Sequence, residues 1–221
     1  MTWVIAHRGS SEAEPENTLR AFERAIADGA DFVEFDVQMS ADCVPVVFHD
    51  SGLERLTTLT GPLRRRSAAE LRDAGIPTLD QVLEVVGGRI GVMAELKNSH
   101  VYRAQPLVER VISRLGRDDV VISFQRRALL ETLRLQPRRR VIQHVGLGVS
   151  ITAAAGYAWG VGFVDRGVTV RGLARARSLG LATTVYTVND EERMLQLVAL
   201  GVDGVFTDRP DRLRAVLRRP G

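Results

Sequence analysis

The sequence predicts an α/β fold, a TIM (β/α)8 barrel with a short hairpin and cap segment after its second strand. Three observations carry that prediction. Apolar, strand-like runs alternate with amphipathic helical stretches eight times within 221 residues. One extra apolar run, 44–48, follows the second strand after four turn residues, Ser40 to Cys43, and reads as a hairpin arm. Ionisable residues recur at the ends of the strand-like runs, the rim at which such a barrel gathers its active site. An open doubly wound sheet is the alternative reading of the same alternation.

The first strand is 3–7, WVIAH, with Trp3, Ile5 and His7 on one face. Asn17 or Thr18 caps a helix whose apolar stripe is Leu19, Phe22, Ala25 and Ile26, and Gly29 ends it. The second strand is 32–39. Its period of two sends Glu34 and Asp36 to one face, and Val33, Phe35 and Val37 to the other. Residues 51–78 hold turn and basic residues around one small helix in SAAELRDAG, and form the expected cap. A helix follows at 79–86. Strands are then predicted at 90–96, 120–124, 141–144, 162–165, 183–188 and 202–207. Their helices are predicted at 105–115, 128–135, 151–155, 170–179, 191–200 and 210–217. Without an internal repeat, low-complexity tract or linker, residues 1–221 are expected to form a single domain.

Composition narrows the function. Hydrophobic content of 45% and charged content of 26% fit a soluble globular protein. A single cysteine, Cys43, excludes an internal disulfide and a cysteine-based metal site. No basic stretch and no long apolar run opens the chain, so neither a signal peptide nor a membrane span is expected, and the expected location is cytoplasmic. The net charge of +3 could suggest nucleic acid. However, 30 basic residues face 27 acidic ones, and the arginine runs at 64–66 and 138–140 lack aromatic neighbours for base stacking, so no nucleic-acid partner is expected. Only one of the 30 basic residues is a lysine, Lys97. In so arginine-rich a chain, a retained lysine points to a place that needs a compact point charge.

The barrel reading puts His7-Arg8 at the end of strand one, Glu34 and Asp36 along strand two, His49 on its hairpin, and Glu95 and Lys97 at the end of the next strand. Ionisable groups on otherwise apolar strands are costly unless they are paired or bind a metal. Glu34, Asp36 and Glu95 offer three hard oxygen ligands, which favour one divalent cation, Mg²⁺ or Ca²⁺, over Zn²⁺. A buried ion pair of Glu34 and Asp36 with Arg8 is the plain structural reading, but the third carboxylate would leave it too negative without a cation. Arg8 and Lys97 add positive charge for an anionic ligand, and phosphate suits both. His7 and His49 come from different strands and could flank a phosphorus centre, one taking a proton and the other giving one.

The segments AHRG (6–9), PENT (15–18), EFDVQMSADCVPVVFHD (34–50), PTL (77–79), ELK (95–97), ISF (122–124), YTVND (186–190) and GVDGVFTDRPD (201–211) together resemble the glycerophosphodiester phosphodiesterase family. They occur in the family's order over nearly the whole chain. The resemblance implies a TIM barrel with metal on Glu34, Asp36 and Glu95, acid and base roles for His7 and His49, and phosphate on Arg8 and Lys97. The implied reaction hydrolyses a small glycerophosphodiester to glycerol 3-phosphate and an alcohol. Attack by the glycerol 2-hydroxyl through a cyclic phosphate and direct attack by water both remain open. A lysophospholipase D on the same barrel and a non-catalytic phosphate-binding barrel are the alternatives. The latter predicts loss of one of the two histidines or three carboxylates, and the sequence has all five.

Two departures bear on the site. Cys43 stands where the family usually has glycine, and Tyr186 where it usually has tryptophan. Phe124, Tyr186 and Trp159 are read as core or pocket wall, with Phe124 and Tyr186 taken as substrate-binding. His100 and His144 are read as structural, Asn17 as a helix cap, and Asp208 as a cap on the last helix.

Overall fold

Each strand that ends in a turn and a helix is carried back over its own outer face, and eight such returns close a ring. The computed structural model describes residues 2–102, 106–146 and 148–219. Its strands are β1 (Trp3–His7), β2 (Phe32–Met39), β3 (Pro45–Val47), β4 (Gly91–Leu96), β5 (Val120–Ser123), β6 (Val141–His144), β7 (Gly160–Val164), β8 (Ala182–Tyr186) and β9 (Gly204–Thr207). Its helices are α1 (Leu19–Ala27), α2 (Ala68–Asp73), α3 (Leu79–Val86), α4 (Leu107–Ile112), α5 (Arg126–Leu135), α6 (Ile151–Ala154), α7 (Val170–Ser178), α8 (Glu191–Ala199) and α9 (Pro210–Leu217). Every strand but β3 is parallel to its neighbours, and β1 pairs with both β2 and β9, so the sheet closes. This is a TIM barrel. β3 lies outside the ring, antiparallel on β2 with Val37 opposite Val47, as the hairpin reading requires.

The period-two alternation of the strands divides the apolar residues into two cores. Val33, Phe35 and Val37 face outward and pack with Phe22, Leu79 and Val82 of the surrounding helices. Ile5, Met93, Ile122, Ile142 and Phe206 fill the barrel interior. Fully burying a side chain of this size contributes roughly 1.5–3 kcal/mol, so these layers carry most of the stability. At the N-terminal end of the barrel Trp3 stacks on Trp159 with ring centroids 5.6 Å apart. Trp159 therefore plugs the end opposite the strand C-termini and is not a wall of the site.

The cap has a small core of its own. Leu53, Leu63, Leu71 and Ile76 pack on Val46 and Phe48 of the hairpin. Ser67 and Glu70 form a capping box that starts α2, and the Ala68 N–H donates to Asp42 Oδ1 at 2.9 Å, tying the cap to the hairpin turn. Cys43 takes a φ of +61°, in the left-handed region that favours glycine, so this hairpin turn is made with a strained residue.

Most predicted boundaries agree within a residue or two. The helix expected over 105–115 is shorter, Leu107–Ile112, and Gln105 lies outside the described residues. The strand expected at 162–165 starts two residues earlier, at Gly160. Buried Arg139 links the turns before β5 and β6, donating to the Asp119 carbonyl at 3.0 Å, to Gln136 Oε1 at 2.6 Å, and to the Gly116 carbonyl. Among the described residues no helix is long and apolar enough to cross a membrane.

Candidate active site

Strand register sets the site. His7 of β1 lies level with Glu34 of β2, and Asp36 of β2 lies level with Glu95 of β4. The inward face of β2 therefore brings its two carboxylates between a histidine on one side and a third carboxylate on the other. Glu34, Asp36 and Glu95 are 2%, 1% and 7% exposed, and one oxygen from each lies within 4.8 Å of the others.

Two cations face them. Lys97 Nζ is 3.0 Å from Glu95 Oε1 and 3.3 Å from Asp36 Oδ1. Arg8 Nε is 3.2 Å from Asp36 Oδ2, and the Arg8 backbone N–H donates to Glu34 Oε2 at 3.1 Å. That last bond requires the chain to turn sharply after β1. Arg8 adopts φ +59° and Gly9 φ +84°. A side chain at Gly9 would lie 2.6 Å from the Ala21 carbonyl carbon, so only glycine lets this loop settle on α1. Left-handed backbone at a non-glycine residue costs on the order of 1–3 kcal/mol, and here it aims the Arg8 amide at Glu34.

Burial, together with the neighbouring Asp36 and Glu95 charges, pushes the Glu34 carboxyl well above its ordinary range. Burial also pushes Glu95 up to about 7, against the pull of Lys97. For Asp36, burial works in the same direction, but Lys97 and Arg8 outweigh it and hold the carboxyl below its usual value. The two cations therefore outweigh burial at Asp36 but not at Glu34 or Glu95. A donor set of three converging buried oxygens with unmatched negative charge fits a hard divalent cation.

Each predicted histidine carries a carboxylate on Nδ1. His7 Nδ1 is 2.7 Å from Asp208 Oδ1, and Asp208 also accepts from Ser11 Oγ at 2.8 Å and Asn189 Nδ2 at 2.6 Å. Burial opposes ionisation of Asp208, but the hydrogen bond and charge of His7 prevail and bring it to about 2. His49 Nδ1 is 2.6 Å from Asp50 Oδ1. Asp50 is lowered to about 2, first by its bond from Arg55, whose Nε is 2.5 Å from Asp50 Oδ2. Arg55 continues to Glu16 with two bonds of 3.0 and 2.7 Å, and Glu16 accepts from Arg8 Nη1 at 2.9 Å. Burial, against the pull of Asp36, lowers His49 itself. With Nδ1 engaged in this way, Nε2 is the ring nitrogen left for chemistry in both histidines.

Phe124, just past β5, and Tyr186, at the end of β8, stand edge to face 5.8 Å apart, and Lys97 Nζ lies 5.8 Å from the Phe124 ring centre. Burial and Glu95 raise the Tyr186 hydroxyl to about 12. His144 sits inside the barrel beneath them, its Nε2 3.9 Å from Glu95 Oε2, and burial depresses it to about 3, so it is neutral.

All nine residues singled out in the sequence therefore occupy one rim. Two others change their reading. Asn17 is not the cap of α1, a place Thr18 takes. Its amide instead donates to Asp36 Oδ2 at 2.9 Å. Asp208 is not the cap of α9, whose N-cap is Arg209; it serves His7. Asp50, Glu16 and Arg55 form a chain of ion pairs from His49 to Arg8. Asp50 follows His49 directly, which was the one local signal available for it.

The matches to known proteins agree with this geometry. Residues 7–212 match the model of the glycerophosphoryl diester phosphodiesterase family. A glycerophosphodiester phosphodiesterase of Bacillus altitudinis is 34% identical, with 96% of each chain covered. A phosphodiesterase of Oleispira antarctica, solved in complex with the product sn-glycerol-3-phosphate, superposes with a TM-score of 0.90 at 29% identity, covering 97% of this chain and 96% of that one. A glycerophosphodiester phosphodiesterase of Thermotoga maritima gives a TM-score of 0.83 at 28% identity, with 99% of each chain covered. With the family model matching nearly the full barrel and a third of all positions shared with a curated relative, the chain belongs to the glycerophosphoryl diester phosphodiesterase family.

Proposed function

We propose that this barrel and its cap act as one domain that hydrolyses a glycerophosphodiester to glycerol 3-phosphate and an alcohol with the help of one divalent cation. The observation that carries the proposal is the pairing of two carboxylate-held histidines with three buried carboxylates and two cations at one rim. Glu34, Asp36 and Glu95 would hold Mg²⁺ or Ca²⁺, which supplies Lewis-acid stabilisation of the phosphoryl oxygens. Arg8 and Lys97 hold the phosphate by charge-assisted hydrogen bonds. Phe124 and Tyr186 wall the pocket for the organic part of the substrate.

One histidine takes the proton from the attacking hydroxyl as the new P–O bond forms. The other gives a proton to the leaving alcohol as the old P–O bond breaks. Asp208 and Asp50 fix both rings with Nδ1 protonated and Nε2 as the exchanging atom, and each such group contributes about 10²–10⁴ in rate. The attacking hydroxyl is either the glycerol 2-hydroxyl, with water opening a cyclic phosphate afterwards, or water itself. The product bound to the Oleispira antarctica relative supports the assignment of glycerol 3-phosphate. A cytoplasmic site of action belongs to the same proposal.

The test is release of glycerol 3-phosphate from glycerophosphocholine and glycerophosphoethanolamine with Mg²⁺ and Ca²⁺ compared, and lysophosphatidylcholine in the same panel. Chelation by EDTA should abolish turnover and metal should restore it. Undiminished turnover in EDTA would remove the metal site from the reading. Preference for the lysolipid would move the activity to a lysophospholipase D.

A further inference from the structure

His49 is held by surprisingly little main-chain pairing. β3 ends at Val47, and the last backbone bond from the returning arm to β2 runs from the Phe48 N–H to the Asp36 carbonyl at 2.9 Å. Beyond it, no backbone bond joins residues 49–50 to β2 among the described residues. A side chain takes over. Gln38, buried on the inward face of β2 two residues past Asp36, donates from Nε2 to the carbonyls of Phe48 at 2.8 Å, His49 at 3.2 Å and Asp50 at 2.7 Å. Its Oε1 accepts from the hydroxyl of buried Tyr102 at 3.2 Å, which fixes the amide with its N–H groups toward the three carbonyls.

We infer that Gln38 is a positioning residue for His49, clamping the backbone of 48–50 so that the imidazole is held over the carboxylate cluster. Nothing in the β2 pairing itself needs a glutamine there. The same device recurs on β6: Gln143 donates to the carbonyls of Ser123, Phe124 and His144 at 3.2, 3.1 and 2.8 Å, while Tyr157 donates to its Oε1 at 2.7 Å. In both cases a tyrosine-locked glutamine at a strand end fixes a neighbouring segment that carries a rim residue. The inference rests on the proton-transfer role proposed for His49.

The test is a double-mutant cycle on the Mg²⁺-loaded protein with glycerophosphocholine. Gln38→Leu should lower kcat about 10- to 100-fold with KM within about threefold, since misplacing a catalytic group by an ångström costs about 10² in rate. Tyr102→Phe, which removes one oxygen and unlocks the amide, should act in the same direction with a smaller loss. In a His49→Ala background, followed over long incubations, both effects should shrink to within about twofold, because a group acting through His49 has nothing left to position. Gln143→Leu should lose the same factor with or without His49. Equal losses for Gln38→Leu and Tyr102→Phe in both backgrounds overturn the inference. If Gln38→Leu does not fold, as judged by circular dichroism and melting, the Tyr102→Phe cycle decides alone. Wild-type turnover in His49→Ala itself would instead overturn the role proposed for His49, and the positioning inference with it.

Discussion

Replacing Asp208 by asparagine alters one group of the site without changing its shape, and the surrounding hydrogen bonds dictate the outcome. Asn189 is locked, because its Oδ1 accepts from the Asp208 N–H at 2.9 Å and from the Thr207 hydroxyl at 3.0 Å. Its Nδ2 therefore points a donor at Asp208 Oδ2. An asparagine at 208 cannot place its own NH₂ there, donor against donor, so the NH₂ must take the position of Oδ1, facing His7 Nδ1. His7 then has to accept at Nδ1 and carry its proton on Nε2, the reverse of the tautomer that the carboxylate enforces. Reversal of this kind costs up to about 10⁴ in kcat in a carboxylate–imidazole pair, and about 10²–10⁴ is the range expected here. Glycerol 3-phosphate release under saturating metal and substrate measures kcat, and a melting curve monitors the fold. A variant that keeps kcat within about threefold of wild type while melting normally would show that His7 does not exchange protons through Nε2.

Three further substitutions probe the rim and the scaffold. Lys97→Arg should lose about 10² or more in kcat/KM on the same substrates, because Nζ is wedged 3.0 and 3.3 Å from two carboxylates and a planar guanidinium has no room there; a loss under tenfold would refute the point-charge reading. Gly162→Ala should destabilise by about 1–3 kcal/mol in urea unfolding, since the new methyl would collide with the His144 ring, reaching Cε1 at 2.8 Å, while Tyr186 and Phe124 block the ring's retreat; unchanged stability would show that this core can shift. Arg139→Ala should cost about 2–3 kcal/mol by stranding the Gly116 and Asp119 carbonyls and Gln136 Oε1, and should leave kcat unaltered because those turns lie at the N-terminal end of the barrel; a fall in kcat without a fall in stability would contradict that placement.

Some of the site is legible in the sequence because its cause is local. Alternation alone puts Glu34 and Asp36 on the opposite face from Val33, Phe35 and Val37, and the closed sheet has them there. The spacing of Glu95 and Lys97 works the same way on β4, and the scarcity of lysine marks Lys97 whatever its neighbours. Asp208 was not legible, because its partner His7 lies 201 residues earlier and only the pairing of β1 with β9 brings them together. Read locally, an acid before Pro210 is a helix cap, and that competing signal was the stronger one. Asn17 was misread for the same reason: PENT is a good helix start, and its contact with Asp36 depends on β1 pairing with β2.

The two histidines are consequently held by different means. His7 belongs to a barrel strand, and its carboxylate arrives on the next strand around the ring, so its geometry is set by barrel closure and cannot be lost without opening the sheet. His49 hangs on a hairpin outside the ring, held by Gln38 from below and by the Asp50–Arg55–Glu16 chain from the cap side. Substitutions around His7 should therefore change chemistry and stability together when they disturb the strands. Substitutions in the hairpin and cap can displace His49 while the barrel remains folded.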